Sequence, residues 1–468
     1  MDVLQQSECI QFRMIAFGNA ASEILLLGDQ QCLRLPSVEL QRTQRPAEAI
    51  CCSLQSEWNC DAACLFGINI PSRNDVSSSV RYQVMECCGR RNSGGTPAPW
   101  LRVASLTAGC FAEVSDYEAV RQSLTAYKDY RDGLAPGPFA KPGWFDDLRQ
   151  WVRDSIMPLG IELRDSFCQF NASPTFSLVR FETSGPAVWF KAVGEPNARE
   201  FPITVVLTGL FPKYTPAIIA TRPECNGWLT LEAGGAALDQ IQRANDWEDA
   251  ATALARLQIE SIGKRDRLLS CGARDLRFST LADLIHPFFE SANELMEQQV
   301  KVPPAILNCQ ELLLLEQQVR AALACLESLG LLETLGHLDM NPGNVIVSEG
   351  SCAFLDWGEA YVGPPFFTFQ YLLEHLRRAA GRDSALEARV VAQYASEWRS
   401  IASASRIEEA FSLVSLLAIF AYAAGSNVWS SGMVLQNPQA AGYVRGLTRR
   451  MQRAALELVD RRSPCLSS

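Results

Sequence analysis

The stretch that decides the fold, Gly336 to Trp357, reads GHLDMNPGNVIVSEGSCAFLDW. It places His337, Asp339 and Asn344 in the spacing H-x-D-x-x-x-x-N. Two short apolar runs follow, separated by a polar turn that contains a glycine, and the second run ends at Asp356. Such a pattern is typical of a β-hairpin. The hairpin would bring Asp356 back beside Asp339 and Asn344.

These side chains suit phosphoryl transfer from a nucleotide. That reaction needs one carboxylate to orient or deprotonate the accepting hydroxyl, and oxygen ligands that hold magnesium against the phosphates. We assign the first task to Asp339 and the metal to Asn344 and Asp356. His337 is interpreted as a neutral ring that supports the loop through backbone hydrogen bonds. Alternatively, Asp339 and Asn344 are ordinary turn residues and Asp356 ends a strand in solvent, because turns are rich in both residue types.

The same motif resembles the signature of the aminoglycoside phosphotransferase and choline kinase-like family, in which a hairpin ending in D-W or D-x-D follows H-x-D-x-x-x-x-N. The resemblance covers residues 144–468. It implies an α+β, two-lobed protein kinase-like fold, with a small β-rich N-lobe at 144–235 and a large helical C-lobe at 236–468. It also implies Mg²⁺ as cofactor, ATP or GTP as phosphoryl donor, and a small-molecule hydroxyl as acceptor.

A lysine in an apolar strand gives a second point of resemblance. Lys191 lies in VWFKAV, and Glu200 follows in NAREFPITVVL. In a kinase-like lobe such a lysine meets the nucleotide α- and β-phosphates and pairs with a helix glutamate. The alternative is that Lys191 points to solvent from an edge strand.

The remaining nucleotide contacts are predicted from position in the small lobe. The candidate phosphate loop contains Ser173 and Thr175 but no glycine, which departs from protein kinases, where this loop is rich in glycine. Hydroxyls and backbone N–H groups can still meet phosphate oxygens. Phe211 to Ala220 and Gly227 to Glu232 are predicted to continue the sheet. The resemblance places the adenine-binding hinge at Leu231, Glu232 and Ala233.

The N-terminal region, residues 1–130, is predicted to form a small α/β domain. Strands are expected at Met14 to Phe17, Glu23 to Leu27 and Tyr82 to Glu86, and helices at Pro46 to Trp58 and Tyr117 to Tyr127. This order weakly resembles a Nudix-like domain. Glu57 is the only residue of this chain that corresponds to one of that family's metal-binding glutamates. One carboxylate cannot build the metal cluster. We therefore expect a catalytically degenerate accessory domain, followed by a Pro- and Gly-rich linker at 131–143.

Composition excludes some function classes. The chain has 468 residues, a net charge of −10 and a pI near 5.1, which disfavours a nucleic-acid-binding surface. The N-terminus lacks the pattern of a secretory signal. Phe411 to Ala424 is the longest apolar stretch and is interpreted as a buried helix, not a membrane span. These features predict a cytoplasmic protein without a membrane partner.

Sixteen cysteines are expected to be reduced in that compartment. Nine of them precede residue 111, yet the chain contains no C-x-x-C and only three histidines, so small buried hydrophobic residues are favoured over a zinc site.

Two other functions stay open. One is a nucleotide-binding pseudokinase or scaffold without turnover, which the glycine-free loop favours and the complete set of polar residues disfavours. The other is a protein kinase, against which stand DWG in place of DFG and the lack of an A-P-E segment. The acceptor, for example an aminoglycoside-like compound or an amino alcohol, is set by pocket shape. Glu359, Glu374 and Asp383 are candidate partners of a substrate amine, or residues of solvated helix faces.

Overall fold

The computed structural model describes residues 9–29, 31–41, 44–70, 80–90, 100–240, 243–379, 381, 383–426 and 428–462. The chain forms two compact units, one of residues Met1–Phe201 and Ala217–Glu232 and the other of Pro202–Pro216 and Ala233–Ser468.

The helices and strands of the first unit follow in chain order. They are β1 (Cys9–Gly18), β2 (Glu23–Leu25), β3 (Ser37–Gln41), α1 (Pro46–Trp58), β4 (Cys60–Ile68), β5 (Val80–Arg90), β6 (Trp100–Arg102), α2 (Val114–Asp129), α3 (Trp144–Ile156), β7 (Leu163–Ala172), β8 (Ser177–Thr183), β9 (Val188–Ala192), α4 (Glu200–Leu210), β10 (Ile218–Arg222) and β11 (Gly227–Leu231). Helix α4 begins in the first unit and continues in the second.

The N-terminal region forms a mixed sheet covered by α1. The strand order is β4-β5-β1-β2-β6, with β3 paired to β1, and β1 runs parallel to β5. Helix α1 has the predicted bounds, because Pro46 suits the first turn and Asn59 ends the helix in the left-handed conformation. Its Ile50 and Leu54 pack in one apolar cluster with Met14 and Met85.

A second sheet is antiparallel and has the strand order β10-β11-β9-β8-β7. Along the chain, its first three strands precede helix α4 and its other two strands follow that helix. The sheet and α4 lie in the segment 144–235 that was predicted to be the small β-rich lobe. The prediction of a strand from Phe211 to Ala220 is wrong over most of its length, because β10 begins only at Ile218. Pro212 and Pro216 lack the N–H that a ladder needs. Phe211 and Tyr214 are instead buried in the second unit.

The N-terminal region and the small lobe share one hydrophobic core. Phe17 and Val84 of the first sheet belong to the same buried cluster as Phe181 and Phe190 of the second. Phe139, in the predicted linker 131–143, is buried in that cluster. The segment therefore contributes to a core that continues across the predicted boundary.

A buried amide also joins the two sheets. Gln169 of β7 is fully buried, and its Oε1 accepts the Cys64 backbone N–H of β4 at 2.8 Å. Its Nε2 lies 3.4 Å from the Ser177 hydroxyl. The bond lies at an irregularity in the pairing of β4 with β5, where a strand N–H needs another acceptor.

The second unit holds the remaining elements. They are β12 (Ala236–Ala237), α5 (Ala244–Ser261), α6 (Arg265–Ser270), β13 (Arg274–Asp275), α7 (Phe278–Glu297), α8 (Cys309–Ser328), β14 (Thr334–His337), β15 (Val345–Ser348), β16 (Ser351–Phe354), β17 (Ala360–Gly363), α9 (Phe367–Ala379), α10 (Ser384–Trp398), α11 (Ala404–Gly425), α12 (Gly432–Leu435) and α13 (Pro438–Arg462). Two three-stranded sheets, β12-β15-β16 and β13-β17-β14, lie among the helices.

Helix α11 is the central apolar helix of this unit. It has 22 residues and a mean hydropathy of 1.6, so by length and composition alone it could cross a membrane. The sequence analysis interpreted its apolar stretch as a buried helix instead. About two thirds of that window is buried inside the protein (67%), as expected for a core helix. A cytoplasmic location stays a prediction.

The Gln169 bridge predicts a measurable loss of stability. Gln169→Leu leaves the Cys64 N–H buried without an acceptor, which costs about 1–3 kcal/mol. We expect a lower midpoint in guanidinium denaturation followed by tryptophan fluorescence. Gln150→Leu, on the exposed face of α3, is the matched control. Equal midpoints for the two variants would show that the amide bridge contributes nothing.

Candidate active site

The hairpin predicted from the sequence is confirmed. Strand β15 pairs antiparallel with β16, with Val345 opposite Phe354 and Ser348 opposite Ser351. Beyond the ladder, the Leu355 N–H donates to the Asn344 carbonyl at 2.9 Å. The residue before Asp356 is thus bound to the backbone of Asn344, so the far end of the hairpin returns to its start.

His337 lies at the centre of this arrangement and is 1% exposed. Its Nδ1 accepts the Asp339 N–H at 3.1 Å, so the ring proton is on Nε2, which lies 3.1 Å from the Leu355 carbonyl and donates to it. Burial lowers the pKa of His337, against the opposing effect of the Asp356 carboxylate, the Leu355 backbone and the Asp339 carboxylate. The neutral ring therefore links the start of the catalytic loop to the end of the hairpin.

A buried hydroxyl pair holds His337 from the other side. The His337 N–H donates to Thr368 Oγ1 of α9 at 2.8 Å, and the Tyr361 hydroxyl of β17 lies 3.1 Å from the same oxygen. Both hydroxyl side chains are fully buried. Gly336 leaves room for the Tyr361 ring, since a Cβ on that glycine would lie 2.0 Å from the ring. Sequence reasoning missed this pair, because neither residue is part of a recognisable motif.

The loop after Asp339 is closed by two asparagines. Asn344 Nδ2 donates to the Asp339 carbonyl at 3.1 Å, which turns its Oδ1 away from that carbonyl. Asn341 accepts the Gly343 N–H at 2.9 Å and donates to the Asp339 carboxylate at 3.2 Å. Asn341 was not predicted, although the N-P-G sequence that follows the aspartate is a turn signal that could have indicated it.

Asp356 has a left-handed backbone, with φ of 62° and ψ of 56°, which is uncommon for any residue other than glycine. The following Trp357 donates from its indole N–H to the Phe354 carbonyl at 3.0 Å and packs against the His337 ring. The hairpin end is thereby anchored on both sides of Asp356. Among the described residues, no group of three or more metal-ligating side chains occurs, so a cation here would draw on Asn344 and Asp356 together with ligand oxygens.

The three acidic residues considered for a substrate amine all have partners in the second unit. Glu359 pairs with Arg274 at 2.7 Å, and Glu374 pairs with Arg450 at 2.6 Å. Asp383 caps α10 by accepting two backbone N–H groups.

Another ionisable group close to Asp339 is His375, on α9. Burial lowers the pKa of His375 and the nearby Arg378 adds to the effect, whereas the Asp339 carboxylate raises it. His375 is half-buried and lies two helical turns beyond Thr368, on the same face of α9. Sequence analysis gave it no role.

In the first unit, Lys191 lies on the central strand β9, so the edge-strand alternative is wrong. Its Nζ is 2.5 Å from the Glu200 carboxylate at the start of α4, and the two side chains are 17% and 4% exposed. The lysine ammonium also lies 5.8 Å from the centre of the Trp228 ring. A buried lysine–glutamate pair of this kind, joining the third strand to the following helix, is a feature of kinase-like small lobes.

The glycine-free turn between β7 and β8 is closed on itself. Ser173 Oγ accepts the N–H groups of Thr175 at 3.3 Å and Phe176 at 3.0 Å. The Pro174 carbonyl accepts the Phe139 N–H at 3.0 Å, and Thr175 packs so closely on Gly194 that a Cβ there would lie 2.5 Å away. The hydroxyl hydrogens of Ser173 and Thr175 are donors that this turn could offer a phosphate.

The predicted hinge residues are engaged differently. The Leu231 and Glu232 N–H groups donate to the Ala217 and Ala187 carbonyls, at 3.1 and 2.9 Å. The Glu232 carboxylate accepts two hydrogen bonds from Arg180 and one from the Trp189 indole. Arg180 accordingly lowers the pKa of Glu232. The Leu231 and Glu232 N–H groups, which are bonded within the sheet, therefore cannot also donate hydrogen bonds to a nucleotide base. Ala233 is the first residue of the segment Ala233–Ser468, which belongs to the second unit.

A family model described as the phosphotransferase enzyme family matches residues 227–403. The matched segment includes the whole stretch from Gly336 to Trp357, so the resemblance to a phosphotransferase family that was inferred from this stretch is confirmed there. The Nudix-like resemblance of the N-terminal region is not confirmed.

Solved structures of low sequence identity resemble this chain. A choline kinase from Cryptosporidium parvum is 15% identical, with a TM-score of 0.45, and the match covers 68% of this chain and 93% of that one. The macrolide 2′-phosphotransferase MphH from Brachybacterium faecium is 14% identical, with a TM-score of 0.42, over 65% and 98%. The GDP and kanamycin complex of APH(2″)-IIia is 15% identical, with a TM-score of 0.43, over 65% and 99%. A search of curated sequences finds no match.

The burial of His337 predicts a pH dependence of stability. The unfolded ring takes up a proton near its ordinary pKa of 6.5, whereas the folded ring, whose pKa is lowered, resists protonation. The buried neutral ring therefore makes its whole contribution to the free energy of unfolding above that pH, and this contribution falls as the pH drops below it. We expect chemical denaturation from about pH 5 to about pH 8 to show a shallower slope for His337→Asn than for wild type.

His375→Asn is the matched control for this measurement, because its folded pKa is also lowered but its ring does not link the catalytic loop to the hairpin. Only the His337 variant should also be less stable above pH 7, since it leaves the Asp339 N–H and Leu355 carbonyl without their partner. A wild-type slope in His337→Asn would contradict the buried neutral ring.

The contact of Thr368 with His337 predicts a test of loop positioning. Thr368→Val removes the acceptor of the His337 N–H and costs about 1–3 kcal/mol of stability. Thr368→Ser keeps the oxygen and should retain most of it. Differential scanning calorimetry of both variants measures the effect. If Thr368→Val lowers the melting temperature no more than Thr368→Ser, the hydrogen bond to His337 does not hold the loop.

Proposed function

We propose that this chain transfers the γ-phosphoryl group of ATP or GTP to a hydroxyl group of a small molecule, such as an aminoglycoside-like compound or an amino alcohol, with Mg²⁺ as cofactor. The observation that carries the proposal is the His337-centred arrangement, in which Asp339, Asn344 and Asp356 are held together by backbone contacts. It lies inside the segment that matches the phosphotransferase family.

Asp339 is the residue we assign to the acceptor. Its carboxylate is held by Asn341 at 3.2 Å, and its backbone N–H is bound to His337. A carboxylate fixed in this way can accept the hydrogen bond of an acceptor hydroxyl and take its proton as the oxygen–phosphorus bond forms. His337 cannot compete as the base, because both of its ring nitrogens are already bonded to the backbone.

Asn344 and Asp356 fit a hard divalent cation. Mg²⁺ prefers oxygen ligands and usually keeps phosphate oxygens and waters in its shell, so an amide oxygen and a carboxylate are a sufficient protein contribution. When bound, the ion neutralises charge on the nucleotide phosphates. The chain contributes by orienting the two oxygens, through the Asn344 contact with the Asp339 carbonyl and the anchored Trp357 after Asp356.

The proposal gives Lys191 the α- and β-phosphates, with Glu200 holding the ammonium group. The close contact of the two residues, together with their burial, supports this assignment. Ser173, Thr175 and the hinge residues Leu231 to Ala233 complete the proposed nucleotide contacts. For Leu231 and Glu232 the carbonyl groups are proposed as the contacts, since their N–H groups are bonded within the sheet.

A single set of variants tests the proposal. Magnesium-dependent consumption of ATP and GTP is measured against a panel of hydroxylated amines, sugars and antibiotics. Asp339→Asn should lower turnover about 10²–10⁴-fold with little change in nucleotide affinity, because it removes the proton acceptor. Asp356→Asn should instead raise the dissociation constant of the magnesium–nucleotide complex. Asp283→Asn, on the exposed face of α7, is the matched control.

Three results would overturn the assignment. Tight nucleotide binding with no turnover for any acceptor, unchanged by Asp339→Asn, would favour a nucleotide-binding scaffold. Undiminished turnover in Asp339→Asn would place the proton acceptor elsewhere. Phosphate appearing on a protein in the same assays would favour a protein kinase.

A further inference from the structure

The face of the second sheet that carries Lys191 also carries two aromatic rings in contact. Side chains alternate along β9, and Val188 and Phe190 are buried in the core. Trp189 and Lys191 therefore share the opposite face. The Phe170 ring of β7 packs on the Trp189 ring, with 5.0 Å between the ring centres and 35° between the ring planes. Both rings are half-buried, and together they are called the aromatic platform below.

The aromatic platform lies between the two places that the proposed function gives to the nucleotide. Trp189 is two residues from Lys191, the proposed phosphate contact, on the same strand. Its indole N–H donates at 3.0 Å to the carboxylate of Glu232, one of the proposed base contacts. Arg180 holds that carboxylate with two further hydrogen bonds. A nucleotide that reaches from Lys191 to Glu232 therefore passes over the aromatic platform, on which a purine ring can stack.

The N-terminal region brings a positive charge to this platform. Arg45 immediately precedes α1, and its guanidinium lies over the Phe170 ring, 5.6 Å from the ring centre. Helix α1 continues along the same side of the sheet, since α1, β4, β7 and β8 together line a cavity of about 190 Å³. The contact of Arg45 with Phe170 thus connects the N-terminal region to the face that carries Lys191.

The position of Phe170 places the Arg45 guanidinium near the proposed phosphate contacts. Asn171, the next residue of β7, lies in one row across the sheet with Leu178 and Lys191. Two strand spacings, about 10 Å, separate the backbones of Asn171 and Lys191. The diphosphate of a nucleotide held by Lys191 is therefore within reach of a long, flexible side chain that extends over Phe170.

Arg45 is also chemically free to bind an anion. It is exposed, and among the residues that the structure describes it forms no ion pair. Arg180, the other guanidinium at the platform, is instead neutralised by Glu182 and Glu232. A guanidinium that rests on a ring face keeps its N–H groups available at its edge, where they match the geometry of a phosphate group.

We propose that the N-terminal region completes the nucleotide site, with Arg45 binding a phosphate group while the purine stacks on the aromatic platform. The inference rests on the proposed function, because Lys191 and Glu232 define the path of the nucleotide. Phe170 has two tasks in this arrangement, since its ring belongs to the platform and also supports the Arg45 guanidinium. The N-terminal region thereby gains a binding role, which its sequence did not indicate.

The test measures binding by isothermal titration calorimetry, with the full-length protein, Mg²⁺, and ADP, GDP or the corresponding nucleosides. Arg45→Gln should weaken binding of the diphosphates about tenfold and leave the nucleosides unchanged, because only the diphosphates offer a phosphate to the guanidinium. Arg45→Lys should retain part of the affinity. The matched control is Arg81→Gln, which removes an exposed arginine that lies 6.0 Å from the Phe12 ring centre in the first sheet.

The aromatic platform has its own signature in the same titrations. Trp189→Leu should weaken the diphosphates and the nucleosides alike, by about tenfold, because it removes the stacking surface. Trp189→Phe should retain most of the affinity. If Trp189→Leu fails to fold, the Arg45 variants still decide, because Arg45 is exposed and lies outside the core.

Lys191→Met separates the inference from the function on which it rests. Weaker ADP binding in Lys191→Met, together with wild-type binding in Arg45→Gln, would overturn the inference alone. Wild-type ADP binding in Lys191→Met would overturn the nucleotide assignment of the proposed function. An Arg45→Gln variant that weakens adenosine as much as ADP would show that Arg45 supports the platform and binds no phosphate. Absence of ADP and GDP binding in the wild-type protein would overturn both proposals.

Discussion

The buried imidazole of His337 is the constraint on which the stretch from Gly336 to Trp357 depends. A neutral ring out of contact with water must find one donor and one acceptor within the protein. Here the donor is the Asp339 N–H and the acceptor is the Leu355 carbonyl, so one ring ties the start of the loop to the end of the hairpin. Thr368 then holds the His337 backbone from α9. The acidic and amide side chains take their positions from this backbone.

The small lobe depends on a different constraint, which is the burial of charge. Lys191 points away from the core formed by Val188 and Phe190, because side chains alternate along a strand. On a central strand its ammonium group cannot reach bulk water easily, and the Glu200 carboxylate provides the opposite charge. The pair fixes the start of α4 relative to the sheet.

The fold was largely predictable wherever local signals and packing agreed. Pro46 and Asn59 delimit α1, whose bounds agree with the prediction. The prediction failed at Phe211, whose apolar neighbours were interpreted as a strand but which packs into the second unit. It also treated 131–143 as a linker, whereas Phe139 belongs to the core. Both features depend on distant partners, which local composition does not reveal.

By itself the sequence determined the H-x-D-x-x-x-x-N motif, the hairpin that follows it, and the order of lysine and glutamate before it, because these depend on spacing along the chain. Only the tertiary structure decided that Thr368 and Tyr361 hold the His337 backbone and that Ser173 caps its own turn. It also decided that the N–H groups of Leu231 and Glu232 are already bonded. Hydrogen bonds of this kind join residues that are far apart in sequence or carry no distinctive pattern. The physical reason is that a buried polar group must be satisfied by whatever folding brings next to it.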